Sequence, residues 1–209
     1  IRGVLSHASI MWNLKVDLPT FDKTTAQLRK TRQISSSQKR DRLPTFDELE
    51  SLTKYFVRKW NHSSYSYPMH LIMWFAIFSC RREAEITRMQ LDDYDETNKL
   101  WKIRDLKNPN GSKGNHKEFS VHDDCQQMID LLLDGDVRHR MLKRGYDENL
   151  LVPLSPKTMG SEFRKACKLL GIDDLHFHDL RHEGCTRLAE KGMTIPQIQQ
   201  VSLHDSWSS

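Results

Sequence analysis

Residues 178–182 read His178-Asp179-Leu180-Arg181-His182, and a third imidazole follows at His204 within Ser202-Leu203-His204-Asp205-Ser206. Two imidazoles and a guanidinium inside five residues are costly to bury in an ordinary core. Together they suit a phosphate: the guanidinium supplies fixed, forked positive charge, and imidazoles donate or accept protons near neutral pH. Two other readings stand beside this one. His178 and His182 are four apart on an expected helix, the spacing of two zinc ligands on one face. Against zinc stand the short Asp179 arm where such motifs carry a catalytic Glu, the lack of a third ligand at suitable spacing, and Arg181 beside the metal. The plainest reading is a pair of helix-capping or core histidines.

Two further groups could join a phosphate site. Arg82 lies three residues before Glu85 in Ser79-Cys80-Arg81-Arg82-Glu83-Ala84-Glu85-Ile86, directly after the most apolar stretch of the chain. A carboxylate one helical turn on could orient that guanidinium. Arg81 competes for the role, and only the spacing to Glu85 favours Arg82. Lys107, in Leu106-Lys107-Asn108-Pro109, falls at the tip of an expected β-hairpin. An ammonium there is either solvated or a general acid for a leaving alkoxide, with Lys113 and Lys117 as rivals.

The elements that must position these groups are mostly helices. Residues 1 to about 15 carry apolar side chains at helical spacing, and after Pro19 a polar stretch without clear periodicity runs to Leu43. Arg29, Lys30, Arg32, Lys39, Arg40 and Arg42 make that stretch basic, as in a solvated linker or one that crosses a phosphate backbone. Thr45 and Glu48 have capping-box spacing ahead of Leu49, Leu52 and Phe56. Pro68 opens a helix from Met69 to about Cys80 that is apolar nearly all round, and Arg81 to Met89 continues as helix or helical turn. Residues 94–103 read as strand, turn, strand, and a third strand is expected around Phe119. Helices return at about 124–133, 156–170, 179–191 and 196–203. The expected fold is therefore mostly α with a small three-stranded antiparallel β-sheet.

Composition limits the function classes. The longest apolar run, Leu71 to Phe78, is too short to span a bilayer. Four cysteines without paired spacing fit reduced thiols better than disulfides or zinc, which points to the cytoplasm. A net charge of +4 leans weakly towards anionic partners. The start at Ile1, neither an initiator Met nor a leader, reads as an internal fragment.

Taken in order, Arg82 with Glu85 after a buried helix, Lys107 on a hairpin, the His178–His182 string, Gly192 and finally His204 resemble the tyrosine recombinases of the phage-integrase family. The resemblance covers about residues 43–209. This chain departs from the family pattern in having Ser79-Cys80 where Thr-Gly is common, Glu183 where Thr or Ser usually follows, and Leu203 where Gly usually precedes the last His. The resemblance implies a tyrosine-recombinase catalytic-domain fold over 44–209. It implies a linker over 21–43 and, over 1–20, the end of a preceding core-binding domain. It also implies site-specific DNA recombination for a phage or other mobile element in a bacterial cytoplasm, through a 3′-phosphotyrosyl intermediate and without metal or other cofactor. Arg82 and Arg181 would clamp the phosphate, Lys107 would protonate the leaving oxygen, His178 would assist proton transfer, and His204 would hydrogen-bond a phosphate oxygen. Glu85 and His182 would support them. Double-stranded DNA is the implied partner, with a tetrameric synapse for the whole protein and a monomer conceivable for the fragment. None of the five tyrosines lies where the family carries its nucleophile, so that Tyr is expected beyond residue 209 and the fragment is expected to bind without cutting. A DNA-binding module without activity and a type IB topoisomerase-like enzyme are the alternatives.

Overall fold

Capping chemistry and apolar periodicity set most of the helix boundaries. The computed structural model describes residues 1–31, 33–34, 42–62, 67–106, 113–143 and 147–204, which fall into two units, Ile1–Asp41 and Arg42–Ser209. In the larger unit α3 (Phe46–Trp60) starts at Thr45. The Thr45 hydroxyl accepts from the Glu48 N–H at 3.2 Å, and the Glu48 carboxylate accepts from the Thr45 N–H at 2.7 Å. Leu49, Leu52 and Phe56 share one face of the helix and are buried.

The centre of the unit is α4 (Met69–Ser79). Ile72, Met73, Phe75, Ala76 and Ile77 are all fully buried, as a helix without a polar face requires. It packs against α3, α6 (Asp123–Leu133), α8 (Pro156–Leu170) and α9 (Asp179–Glu190). The approach of α9 is close: a Cβ placed on Gly184 would lie 2.0 Å from the Ile77 carbonyl oxygen, so only glycine fits there. After α4 the chain makes a single helical turn, α5 (Glu83–Ile86), and a 3-10 turn at Leu91–Asp93.

The sheet follows, with β1 (Tyr94–Asp95), β2 (Leu100–Ile103) and β3 (Lys117–Ser120) in antiparallel order β1-β2-β3. Trp101 pairs with Phe119, and both side chains are fully buried together with Ile103, while Leu100 and Lys102 are only half-buried. That is the period-two pattern of a sheet covered on one face. Tyr94 stacks on Trp101 at 4.8 Å and hydrogen-bonds Gln126 through its hydroxyl. Beyond α6 come α7 (Gly135–Leu142), then α8, capped by Ser155 and ended by Gly171 at φ +68°. Last are α9 and α10 (Ile195–Ser202), which packs on α9 and β3. The larger unit is mostly α with one small antiparallel sheet.

The smaller unit holds α1 (Arg2–Met11) and α2 (Leu18–Lys30), joined by an Arg2–Asp22 ion pair at 2.7 Å. The polar stretch after Pro19 is thus helical as far as Lys30. Asp17 caps it through the Thr20 N–H, Pro19 sits in its first turn, and Arg29 and Lys30 occupy its last. Residues Arg32, Lys39 and Arg40 lie outside the described residues, as does Lys107. Among the described residues no helix is long and apolar enough to cross a membrane.

Candidate functional site

The end of α4 is the seed of the site. Cys80 closes that helix in the left-handed conformation (φ +52°), which turns the chain sharply and sends Arg81 and Arg82 to different environments. Arg81 goes inward and its side chain is fully buried. It donates through Nε to the Ser79 carbonyl at 2.9 Å and through Nη2 to the Val201 carbonyl at 2.5 Å, and lies 4.9 Å over the Phe119 ring. Arg82 stays about one-third exposed and donates through Nη1 to Glu85 Oε1 at 2.7 Å. Burial separates the two arginines: Arg81 is taken up by the fold, and Arg82 faces outward.

Glu85 is the hub. Its Oε2 accepts from the Arg82 backbone N–H at 3.3 Å and lies 3.5 Å from Arg81 Nη1 and 3.9 Å from Arg181 Nη1. Burial would raise its pKa, but Arg81, Arg82 and Arg181 together outweigh that and hold it below the usual carboxylate range. One carboxylate therefore faces three guanidiniums, leaving an excess of positive charge in a nearly dry setting.

Arg181 comes from the first turn of α9 and is itself buried. Nη1 donates to the Cys80 carbonyl at 2.6 Å, and Nε donates to His204 Nε2 at 3.2 Å. Its Nη2 is buried without a hydrogen-bond partner among the described residues. Burial first, and then Arg81 and Arg82, lower its pKa to about 10, so it remains a cation at neutral pH. His204 follows Leu203, which ends α10 in the left-handed conformation at φ +56°. Because His204 Nε2 accepts from Arg181, Nδ1 is left to carry the ring proton and donate to Ser202 Oγ at 2.9 Å.

His178 and His182 face each other edge-to-face, with ring centroids 5.2 Å apart. His178 is exposed overall, yet its ring is partly desolvated. That desolvation, followed by His182, Arg82 and Arg181, lowers its pKa. Arg82 and His178 also line one cavity of about 580 Å³, with Arg164, Lys168 and His176 on its wall and Glu83, Asp173 and Asp174 beside them. A neutral imidazole and an outward guanidinium thus open on the same space.

Of the residues singled out in the sequence, Arg82, Glu85, Arg181 and His204 form one connected chain of contacts, and His178 and His182 adjoin it. Among the basic residues of the expected linker, Arg29 and Lys30 end α2, and Arg42 is paired with Glu48 at 2.5 Å. Sequence reading passed over the structural role of Arg81 and the thiols of Cys80 and Cys185. The spacing of Cys185, one turn after Arg181, was the signal for the latter.

Three comparisons bear on this geometry. The profile described as the Phage integrase family matches residues 43–209. The chain is similar to the shufflon-specific DNA recombinase of Escherichia coli, with 26% identity over 211 residues, covering 99% of this chain and 48% of that protein. The chain spans about half the length of the curated relatives it matches. Among solved structures it resembles the Tn1549 transposon integrase in complex with a circular intermediate DNA (TM-score 0.60, 14% identity, 98% of this chain and 76% of that one). It also resembles a lambda integrase dimer bound to a COC′ core site (TM-score 0.62, 19% identity, 99% of this chain and 55% of that one).

Proposed function

The chain belongs to the phage integrase family, and from that premise we propose that the Arg181 cluster holds the scissile phosphate of double-stranded DNA during site-specific recombination. The observation that carries this reading is the buried Nη2 of Arg181, which has no acceptor among the described residues although the site around it has three guanidiniums to one carboxylate. A buried N–H without a partner costs about 1–3 kcal/mol, more when charged, and an incoming phosphate oxygen would recover it. The similar transposon integrase is in complex with DNA, which supports the same partner here.

In this reading Arg82 and Arg181 clamp the non-bridging oxygens and stabilise the charge that grows on them as a tyrosine oxygen attacks. Glu85 sets the direction of both guanidiniums. His178, held neutral by desolvation and neighbouring cations, has a lone pair free to take the proton of the attacking hydroxyl. His204 orients Arg181 in the present arrangement. To donate to phosphate directly, its Nε2 must gain a proton and release Arg181 Nε. Lys107 remains the proposed general acid for the leaving 5′-oxygen, and His182 supports His178. We propose the basic residues Arg29, Lys30, Arg32, Lys39, Arg40 and Arg42 as backbone contacts in a linker over 21–43, following a core-binding segment over 1–20. Assembly of the whole protein into a tetramer on DNA in a bacterial cytoplasm belongs to the same proposal.

The test uses the protein that carries this chain, a bound duplex selected from a random pool, and a nick placed to trap cleaved product. Expected is a covalent protein–DNA adduct in the presence of EDTA. Arg181→Ala should lower adduct formation by about 100-fold or more while leaving most DNA affinity, which many phosphate contacts supply. Near-normal adduct from Arg181→Ala, or strict dependence on magnesium with no adduct, would overturn the reading.

A further inference from the structure

Behind Arg181 two cysteines share the seam between α4 and α9. Residues 181, 184, 185 and 188 lie on one face of α9 by helical spacing, and Cys80 borders that face. Its carbonyl takes the Arg181 hydrogen bond at 2.6 Å, and a Cβ on Gly184 would lie 2.8 Å from its sulfur. Leu188 belongs to the same apolar cluster as Cys80, and Cys185 packs on that cluster. The Cys80 thiol points at the Ile77 carbonyl, 3.6 Å away, and Cys80, Cys185 and His204 lie close enough to shift one another's titration. Cys80 is fully buried whereas Cys185 is half-buried, so a reagent meets Cys185 first.

Nucleophilicity runs the same way. Cys80, and after it His204 and Arg181, hold the Cys185 thiol below the usual range despite burial. Cys80 is pushed up by Cys185 first and then by burial, so it reacts second, as the resolving thiol; burial raises Cys125 and Cys167.

We propose that Cys80 and Cys185 form a modification site for a small-molecule disulfide, closing to an internal disulfide that latches α4 to α9 beneath Arg181. The Cys185 sulfur attacks one sulfur of the reagent, forming a mixed disulfide and expelling the first thiolate. The Cys80 sulfur then attacks Cys185 Sγ, forming the internal bond and expelling the second. The two protons lost by the protein thiols end on the two expelled thiolates. The protein pair is oxidised by two electrons and the reagent is reduced to two thiols. Closure ties the residue whose carbonyl holds Arg181. The functional effect, which rests on the phosphate-site reading, is loss of DNA strand cleavage on oxidation.

The experiment treats the full protein with oxidised glutathione, blocks the remaining thiols, and maps peptides before and after reduction by dithiothreitol. Expected is a Cys80–Cys185 linked peptide pair, with Cys125 and Cys167 still free, and at least a tenfold fall in the covalent DNA adduct that dithiothreitol restores. Cys185→Ser, compared with its own reduced sample, should lose this sensitivity. Lasting glutathione on Cys185, a different pairing, or a linked pair with unchanged adduct yield would overturn the proposal. So would an oxidant-sensitive Cys185→Ser protein. If the reduced wild type forms no adduct, the phosphate-site reading fails while the peptide map still decides the thiol chemistry.

Discussion

Gly184→Ala tests whether the site depends on the closeness of α4 and α9. A methyl at that position would sit 2.0 Å from the Ile77 carbonyl oxygen and 2.8 Å from the Cys80 sulfur. The nearest comfortable carbon-to-oxygen approach is about 3.3 Å, so the seam must open by roughly 1.3 Å. The obstructing oxygen belongs to the backbone of the fully buried Ile77 and cannot rotate away. Overpacking of this kind costs about 1–3 kcal/mol, or more against rigid backbone, and the helix preference of Ala over Gly returns about 1 kcal/mol. The net expectation is a loss of about 2 kcal/mol, read as a lower urea midpoint with unchanged slope. The same displacement reaches the site. The Arg181 Nη1 to Cys80 carbonyl bond is 2.6 Å long, and adding about 1.3 Å takes it past hydrogen-bonding range. Cleavage should therefore fall further than the loss of folded protein explains, at a temperature where the variant remains folded. A variant as stable as wild type, with normal cleavage, would refute the packing argument.

Three further perturbations separate charge, titration and capping. Glu85→Gln leaves three guanidiniums without their shared carboxylate, and an uncompensated buried charge costs about 3–5 kcal/mol; a urea midpoint within error of wild type would contradict this. Because the Glu85 pKa is lowered in the fold, its contribution is whole above the unfolded carboxylate value and is lost as pH falls through the lower folded one. His70 behaves as a base with its pKa lowered from 6.5 to about 4, first by burial and then by Arg140. Between those values the unfolded chain binds more protons, so stability falls as pH drops from 6.5 towards 4. Discounted for partial exposure, the effect is about 1–2 kcal/mol, and His70→Gln should flatten that part of the pH–stability curve. Thr45→Ala removes the hydroxyl that caps α3 and should cost about 1 kcal/mol, measured by thermal or urea unfolding, whereas an unchanged midpoint would show the cap to be idle.

Helices with a local signal were legible in the sequence. Thr45 with Glu48 marked the start of α3, Pro156 and Gly171 bracketed α8, and the unbroken apolar run of α4 announced a central helix. The hairpin strands followed from alternation around Trp101 and Phe119. What escaped was structure without an apolar stripe. No residue of α2 is buried, so its periodicity is weak, and its helicity rests on the Asp17 cap and the charges at its end. In the site, it was the resemblance to the tyrosine recombinases that linked Arg82, Glu85, Arg181 and His204; residue types and spacing taken singly left each open. They could not show which of two adjacent arginines turns inward, because that depends on the left-handed turn at Cys80, a position where sequence alone favours Gly. Nor could they show that His204 holds Arg181, since the two meet only when α10 packs against α9.

The inward arginine also bears on the order in which the protein becomes competent. Arg81 finds its Nη2 acceptor at Val201, 120 residues further along the chain. Translation delivers domains from the N-terminus, so α4 leaves the ribosome long before α10 exists. Arg81 Nη1 is already buried without a hydrogen-bond partner among the described residues, so until α10 arrives burial would strand Nη2 as well, and the cheaper state keeps that side chain in water. The segment bearing Arg82 and Glu85 therefore stays uncommitted until α10 has been made. On the proposed reading, a nascent chain that has not yet reached α10 has no formed phosphate pocket.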